Sequence, residues 1–137
     1  MLKAGLVGAG HLGKIHLKLQ NQSEKYELVG FQDADTEKLE AEFGYKFFEN
    51  FDDLLAEIQV LDIVTPTIYH HQYALKAIEK GKHFFIEKPV TQTLEQAEEI
   101  IQKCHENGIK AQVGHVERYN PAFIATQKYI QKPMFIE

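Results

Sequence analysis

The sequence predicts a doubly wound parallel α/β sheet, and three observations carry that prediction. Short apolar runs alternate with helix-like segments about six times along the chain. A glycine-spaced turn joins the first run to its helix, and further glycines stand where later helices should stop. Such alternation calls for parallel strands with helices on both faces. Crossovers should be right-handed, with a strand order of 3-2-1-4-5-6. The 137 residues suit one compact domain, and a 44% hydrophobic content suffices for a core.

Residues 2–7 are apolar, end in glycines and read as a buried strand. Residues 10–21 read as a helix with Leu12, Ile15, His16 and Leu19 on its packing side. Residues 26–32 are the second strand. Asp35 is placed to cap a helix that Gly44 ends after Phe43. Residues 45–48 form a brief third strand, and Asn50 caps a short helix over 51–57. Residues 60–64 are the fourth strand, and Thr67 is placed to cap the helix that stops at Gly81. Residues 83–86 are the fifth strand. Thr93, with Gln96 three residues on, opens a helix in capping-box spacing, and Gly108 closes it. Residues 110–114 make the sixth strand.

Residues 121–131 read as one more helix and 134–137 as the start of a strand that has no partner. The expected division is therefore a domain over 1–118 and the first elements of a second α/β domain over 119–137. On this reading the chain is the first part of a longer protein.

Composition narrows the function classes. Net charge is −5 with both signs interspersed, so no basic stripe invites nucleic acid. No apolar run is long enough to cross a bilayer, and the start lacks the regions of a secretory signal. Cys104 is the single cysteine, which fits a reducing cytoplasm; its position suggests a structural thiol on a helix. Of seven histidines only His70 and His71 are adjacent, and helical neighbours point apart, so no metal site is expected.

The sharpest local pattern is Gly8-Ala9-Gly10-His11-Leu12-Gly13, after a strand and at the start of a helix. Gly8 permits the turn, Gly10 lets the backbone approach a pyrophosphate, and Gly13 lets the helix lie close to the sheet. Amides at the helix start attract the phosphate charge. Asp33 stands twenty residues past Gly13, where a carboxylate accepts hydrogen bonds from adenosine ribose hydroxyls and repels a 2′-phosphate. These features predict a Rossmann-type dinucleotide site and favour NAD over NADP. No arginine follows Asp33, and Lys38 is the nearest cation. The plain alternative is a packing turn with Asp33 as a loop acid. A methyltransferase fits less well, because it wants an acid before the first glycine, where Leu6 and Val7 stand.

Three more segments fall at the carboxyl ends of strands, the edge at which such sheets bind ligands. They are Thr65-Pro66-Thr67-Ile68-Tyr69-His70, Glu87-Lys88-Pro89, and the stretch from Gly114 through Arg118 and Asn120 to Pro121. With these in this order and spacing, essentially the whole chain resembles the Gfo/Idh/MocA oxidoreductases. Residues 113–122 are similar to a segment of members that oxidise the 3-hydroxyl of UDP-N-acetylglucosamine or related nucleotide sugars. The resemblance implies a second domain with a large, mostly antiparallel sheet that completes a sugar pocket, and a homo-oligomer in the full-length form. It also implies a catalytic histidine in that second domain.

The resemblance gives Lys88 the catalytic and substrate-contacting position; sequence alone would make it a surface lysine. Its alcohol-facing ammonium would stabilise a developing alkoxide. Glu87 would orient Lys88 or touch the nicotinamide ribose, or else be a solvated strand-end acid. Thr65, Pro66 and Thr67 should line the cofactor, while Thr67 has a rival duty as a helix cap. His70 would pack on the nicotinamide side, or serve as a core or capping histidine. His11 and Leu12 belong to the glycine loop near the phosphates. Arg118 and Asn120 are candidates for substrate contacts, an arginine fork being suited to a diphosphate; a salt bridge at a domain junction is the alternative for Arg118. Phe123, Ile124, Tyr129 and Ile130 read as core packing against a further domain. The expected activity is NAD-dependent oxidation of a sugar alcohol, with little turnover by this chain alone. The alternative is a non-catalytic, redox-sensing NAD(H) module.

Overall fold

The computed structural model describes residues 1–34 and 44–129. The helix expected over 35–43, with Asp35 and Lys38, lies outside the described residues. So do Ile130, the end of the last predicted helix and the strand expected over 134–137.

Five strands form one parallel sheet: β1 (Leu2–Val7), β2 (Tyr26–Gln32), β3 (Val60–Ile63), β4 (His83–Ile86) and β5 (Ala111–Val113). Their order is β2-β1-β3-β4-β5. The chain winds outward from β1 to β2, then returns to the other side of β1 for β3. This reversal opens a crevice at the carboxyl ends of β1 and β3. Numbering only the described helices, α1 is His11–Gln22, α2 Phe51–Glu57, α3 His70–Glu79, α4 Leu94–Glu106 and α5 Pro121–Gln127.

Each strand divides its side chains between the two faces of the sheet, as the two-residue period requires. Val7, Leu61, Ile63, Phe84 and Ile86 pack with Leu54, Leu55 and Ile58, with Ala77 and Ile78 of α3, and with Ile100 and Cys104 of α4. Leu6 and Phe31 pack on the other face with Ala9 and Leu17. Asp62 and Phe85 alternate out of the first core and face α1. Asn50 caps α2 by accepting from the Asp52 amide at 2.8 Å. Thr93 caps α4 by accepting from Gln96 at 3.4 Å.

Three expectations are corrected. The third strand, predicted over 45–48, is a single bridge from Phe47 to Phe31 beside β2. Tyr45 and Phe47 pack in one core while Phe48 turns into the other, so the segment is already crossing the sheet edge to reach α2. Thr67 does not cap a helix; residues Thr67–Tyr69 form a 3-10 turn before α3, with no side-chain cap. The packing side of α1 is not Leu12, Ile15 and Leu19, which are 41%, 45% and 60% exposed. It is Gly13 and Leu17, flanked by the half-buried His16 and Gln20. Gly13 sets that rotation, because a Cβ there would lie 2.1 Å from the Gly8 carbonyl oxygen. The helix is pressed onto the turn along its glycine side, whatever its leucines would prefer.

Candidate functional site

The crevice at the reversal of strand order has a volume of about 730 Å³. Gly8, Gly10, His11 and Leu12 form one wall, Asp33 closes one end, and Thr65 with Pro66 faces them. Gly8 has φ +92°, and a Cβ would lie 2.6 Å from the Thr65 amide nitrogen. Only glycine permits that turn beside β3. Gly10 is different: nothing lies within 4 Å of where its Cβ would be, so its bare backbone faces open space. As the N-cap of α1 it brings no side chain to the first-turn amides. Those amides and the helix dipole suit an anion.

Asp33 is fixed at the crevice by the amide of Ala9, which donates to its Oδ2 at 2.6 Å. The glycine turn therefore orients the acid that follows β2. Tyr73 shares this end, and burial together with the Asp33 charge pushes its phenol above the ordinary value. The buried Oγ1 of Thr65 and Oε1 of Gln32 have no hydrogen-bond partner among the described residues. A glycine-lined cradle, an oriented acid and unpartnered polar atoms are the features a dinucleotide site requires.

Lys88 lies apart from this crevice, in a second cleft of about 260 Å³ with Gly114, His115, Glu117, Arg118 and Phe123. Lys88 is exposed, and its bond to Pro89 is cis. His70 connects the two regions. Its ring is 1% exposed, with Nε2 2.8 Å from the Thr65 carbonyl and Nδ1 3.0 Å from the Pro89 carbonyl. One imidazole thus spans from the crevice wall to the residue after Lys88. It acts as a staple between loops and does not line the crevice.

Glu87 is also buried, 5% exposed. Its Oε2 accepts from the Lys88 amide at 3.0 Å, and its Oε1 lies 3.5 Å from His16 Nε2. Of its two expected roles, the geometry has it turned toward Lys88. Asn120 is occupied as well: it accepts from the Ala122 amide as the cap of α5, and its Nδ2 donates to Glu117 at 2.8 Å. Gly13 sits beneath the crevice as a packing residue, and Thr67 lies in the 3-10 turn beside it. The sequence reading named Tyr69 only within its strand-end segment and did not single out Gln32, Gln72 or Tyr73 as crevice residues. Their signal was available in position: Gln32 ends β2, and the others fall at roughly one-turn spacing after Pro66.

It also passed over a buried polar cluster under Lys88. Asp62 Oδ2 lies 2.9 Å from His16 Nδ1 and accepts from Gln20 Nε2 at 2.5 Å. A lone acid inside the apolar run Val60–Ile63 was the readable sign, since a buried charge needs a partner. Burial alone would lower the His16 imidazole. The hydrogen bond and charge of Asp62, with the charge of Glu87, outweigh it and hold His16 above its ordinary value.

The family model for the oxidoreductase family with an NAD-binding Rossmann fold matches residues 2–115. UDP-N-acetylglucosamine 3-dehydrogenase of Acidithiobacillus ferrooxidans is 36% identical over 124 residues, 88% of this chain and 39% of that protein. Its solved structure superposes with a TM-score of 0.86 at 33% identity, covering 93% of this chain and 43% of that one. Two Bacillus subtilis relatives divide by cofactor. The NAD(+) scyllo-inositol 2-dehydrogenase is 33% identical over 136 residues, 94% of this chain and 40% of that protein. The NADP(+) scyllo-inositol 2-dehydrogenase is 25% identical over 135 residues, 96% and 38%. The chain spans about two fifths of the length of these relatives. By its glycine cradle, its sheet order and a family match that runs from β1 past β5, the chain belongs to the Gfo/Idh/MocA oxidoreductase family.

Proposed function

We propose that the chain is the cofactor-holding part of an NAD-dependent dehydrogenase that moves a hydride between a secondary alcohol of a sugar and nicotinamide. The observation that carries this reading is Asp33, held at 2.6 Å by the amide of Ala9 inside the glycine turn. An acid so oriented grips ribose hydroxyls and opposes a 2′-phosphate. At 4 Å two like charges repel by about 4 kcal/mol at an effective dielectric of 20, enough to decide between NAD and NADP.

The cofactor, when bound, supplies the hydride acceptor. The chain's own residues do the rest: Gly8, Gly10 and the start of α1 receive the pyrophosphate, and Thr65 and Pro66 form the opposite wall. Lys88 donates to the substrate oxygen and steadies its negative charge as the hydrogen leaves carbon. Arg118, in the same cleft, meets an anionic group of the substrate. A nucleotide sugar fits that pair of cations, and the likeness to a UDP-N-acetylglucosamine dehydrogenase supports the same class. Residues 119–137 then begin a second domain that completes the sugar pocket, and this chain alone turns over little.

Calorimetric titration with NAD and NADP tests the reading. The wild type should prefer NAD by at least about tenfold, and Asp33→Ala should bring the two affinities close together. Equal affinities in the wild type would remove the role given to Asp33. If NAD binds but the complete protein turns over no sugar, with UDP-N-acetylglucosamine among those tried, a redox-sensing module is the better account.

A further inference from the structure

The cluster beneath Lys88 joins three elements through one imidazole. His16 comes from the middle of α1, Asp62 from β3, and Glu87 from the residue after β4. His16 Nδ1 is 2.9 Å from Asp62 Oδ2, and Nε2 is 3.5 Å from Glu87 Oε1. Both acid side chains are almost fully buried, at 8% and 7% exposure, and that of His16 is at 14%. The Phe85 ring meets the imidazole edge-on at 5.8 Å. Glu87 lies over β5's end because Gly114 has no side chain; a Cβ there would be 2.7 Å from Glu87 Oε1. The second carboxylate oxygen of Glu87 accepts from the Lys88 amide at 3.0 Å. Asp62 Oδ1 has no partner among the described residues, so the acid relies on the contacts to Oδ2.

We infer that His16 is a positioning residue: set between Asp62 and Glu87, it holds the Glu87 carboxylate and, through it, the backbone at Lys88. The inference rests on the dehydrogenase reading only for why Lys88 matters. The physical need is plain. Two buried carboxylates with no cation between them are strongly disfavoured, and removing the partner of a buried acid leaves an uncompensated charge. An imidazolium serves both at once: Nδ1 hydrogen-bonds Asp62, and the ring's charge at Nε2 lies 3.5 Å from Glu87. The groups that face it are Asp62 from β3, Glu87 from the end of β4 and the neutral Gln20 from its own helix. The charge on His16 is kept below its raised pKa and lost as pH rises through it. The Glu87 tether, and the protection of the Lys88 amide, should weaken in that same interval.

Amide hydrogen exchange by NMR reads this directly in the wild-type chain and in His16→Gln, alongside titration with NADH. Gln retains a donor but carries no charge. The Lys88 amide should exchange about tenfold faster in His16→Gln, while the Leu61 amide, at the centre of the sheet, keeps its protection. In the wild type the protection of Lys88, corrected for intrinsic rates, should fall as pH rises through the His16 titration. A purely structural His16 would lower protection at Leu61 and Lys88 together; that result, or no change at Lys88, overturns the inference. If His16→Gln does not fold, the wild-type pH series decides alone. The NADH titration reports separately on the dehydrogenase reading: a wild type that does not bind NADH sinks that reading and leaves the exchange result to judge His16.

Discussion

Gly10 and Gly114 share a residue type and have opposite reasons for it. At Gly10 a Cβ would meet nothing within 4 Å, and its φ of −62° suits any residue. Folding does not demand glycine there; a ligand approaching the backbone would. At Gly114 a Cβ would press on Glu87 Oε1 at 2.7 Å and on the Phe85 ring at 2.8 Å. Gly10→Ala should therefore leave stability within about 0.5 kcal/mol of wild type and weaken NAD by about tenfold or more. Gly114→Ala should cost about 1–3 kcal/mol, since both neighbours are packed and cannot yield freely. Urea unfolding paired with NAD titration separates the two variants. A Gly10→Ala protein that binds NAD normally would mean that no pyrophosphate lies against that backbone.

Helix α1 is the element on which the sequence was read most and least well. Its place after the glycine turn was legible, because Gly8, Gly10 and Gly13 perform distinct steric tasks that spacing alone reveals. So were the bounds of β1, β2 and β4, where apolar runs end at glycines or charged residues. The face that α1 packs was not legible. Periodicity favours the large apolar residues, yet Gly13, where a Cβ would lie 2.1 Å from a carbonyl oxygen, dictates the rotation, and hydropathy does not register that. His16 was rightly put on the packing side, but its task was hidden, because its partners Asp62 and Glu87 come from other elements. The staple made by His70 was equally unreadable, because both its partners are backbone carbonyls in other loops. A pair of leucine truncations tests the corrected rotation. Leu17→Ala removes a fully buried side chain and should cost about 2–5 kcal/mol. Leu19→Ala, at a site 60% exposed, should cost about 0.5 kcal/mol or less. Reversed magnitudes in chemical denaturation would restore the rotation read from periodicity.

At the scale of the whole molecule, the buried cluster ties the stability of the domain to pH, and the sign can be worked out. His16 is held above 6.5; burial pulls it down, and the bond and charge of Asp62 with the charge of Glu87 pull it further up. Asp62 is held above 3.8, by burial first, against the hydrogen bonds of His16 and Gln20. A raised value at either group means that the folded state keeps a proton the unfolded chain has released. Stability then falls as pH rises, whichever partner holds the proton. The Asp62 part begins above 3.8, and the His16 part is complete below 6.5 and is lost as pH climbs through the folded value. Tyr73 and Cys104, also raised, act only near 10.0 and 9.0, and Glu95, lowered from 4.5, acts only in acid. Between pH 5 and 8.5 the cluster should therefore stand out. Thermal unfolding should show Tm falling across that range, with about 3–6 °C for each kcal/mol lost in a domain of this size. His16→Gln should flatten the slope above pH 6.5 while lowering Tm most at the acid end, where the imidazolium contributes most. A slope equally steep in that variant would mean that other groups carry the pH dependence and that His16 holds no charge between its two acids.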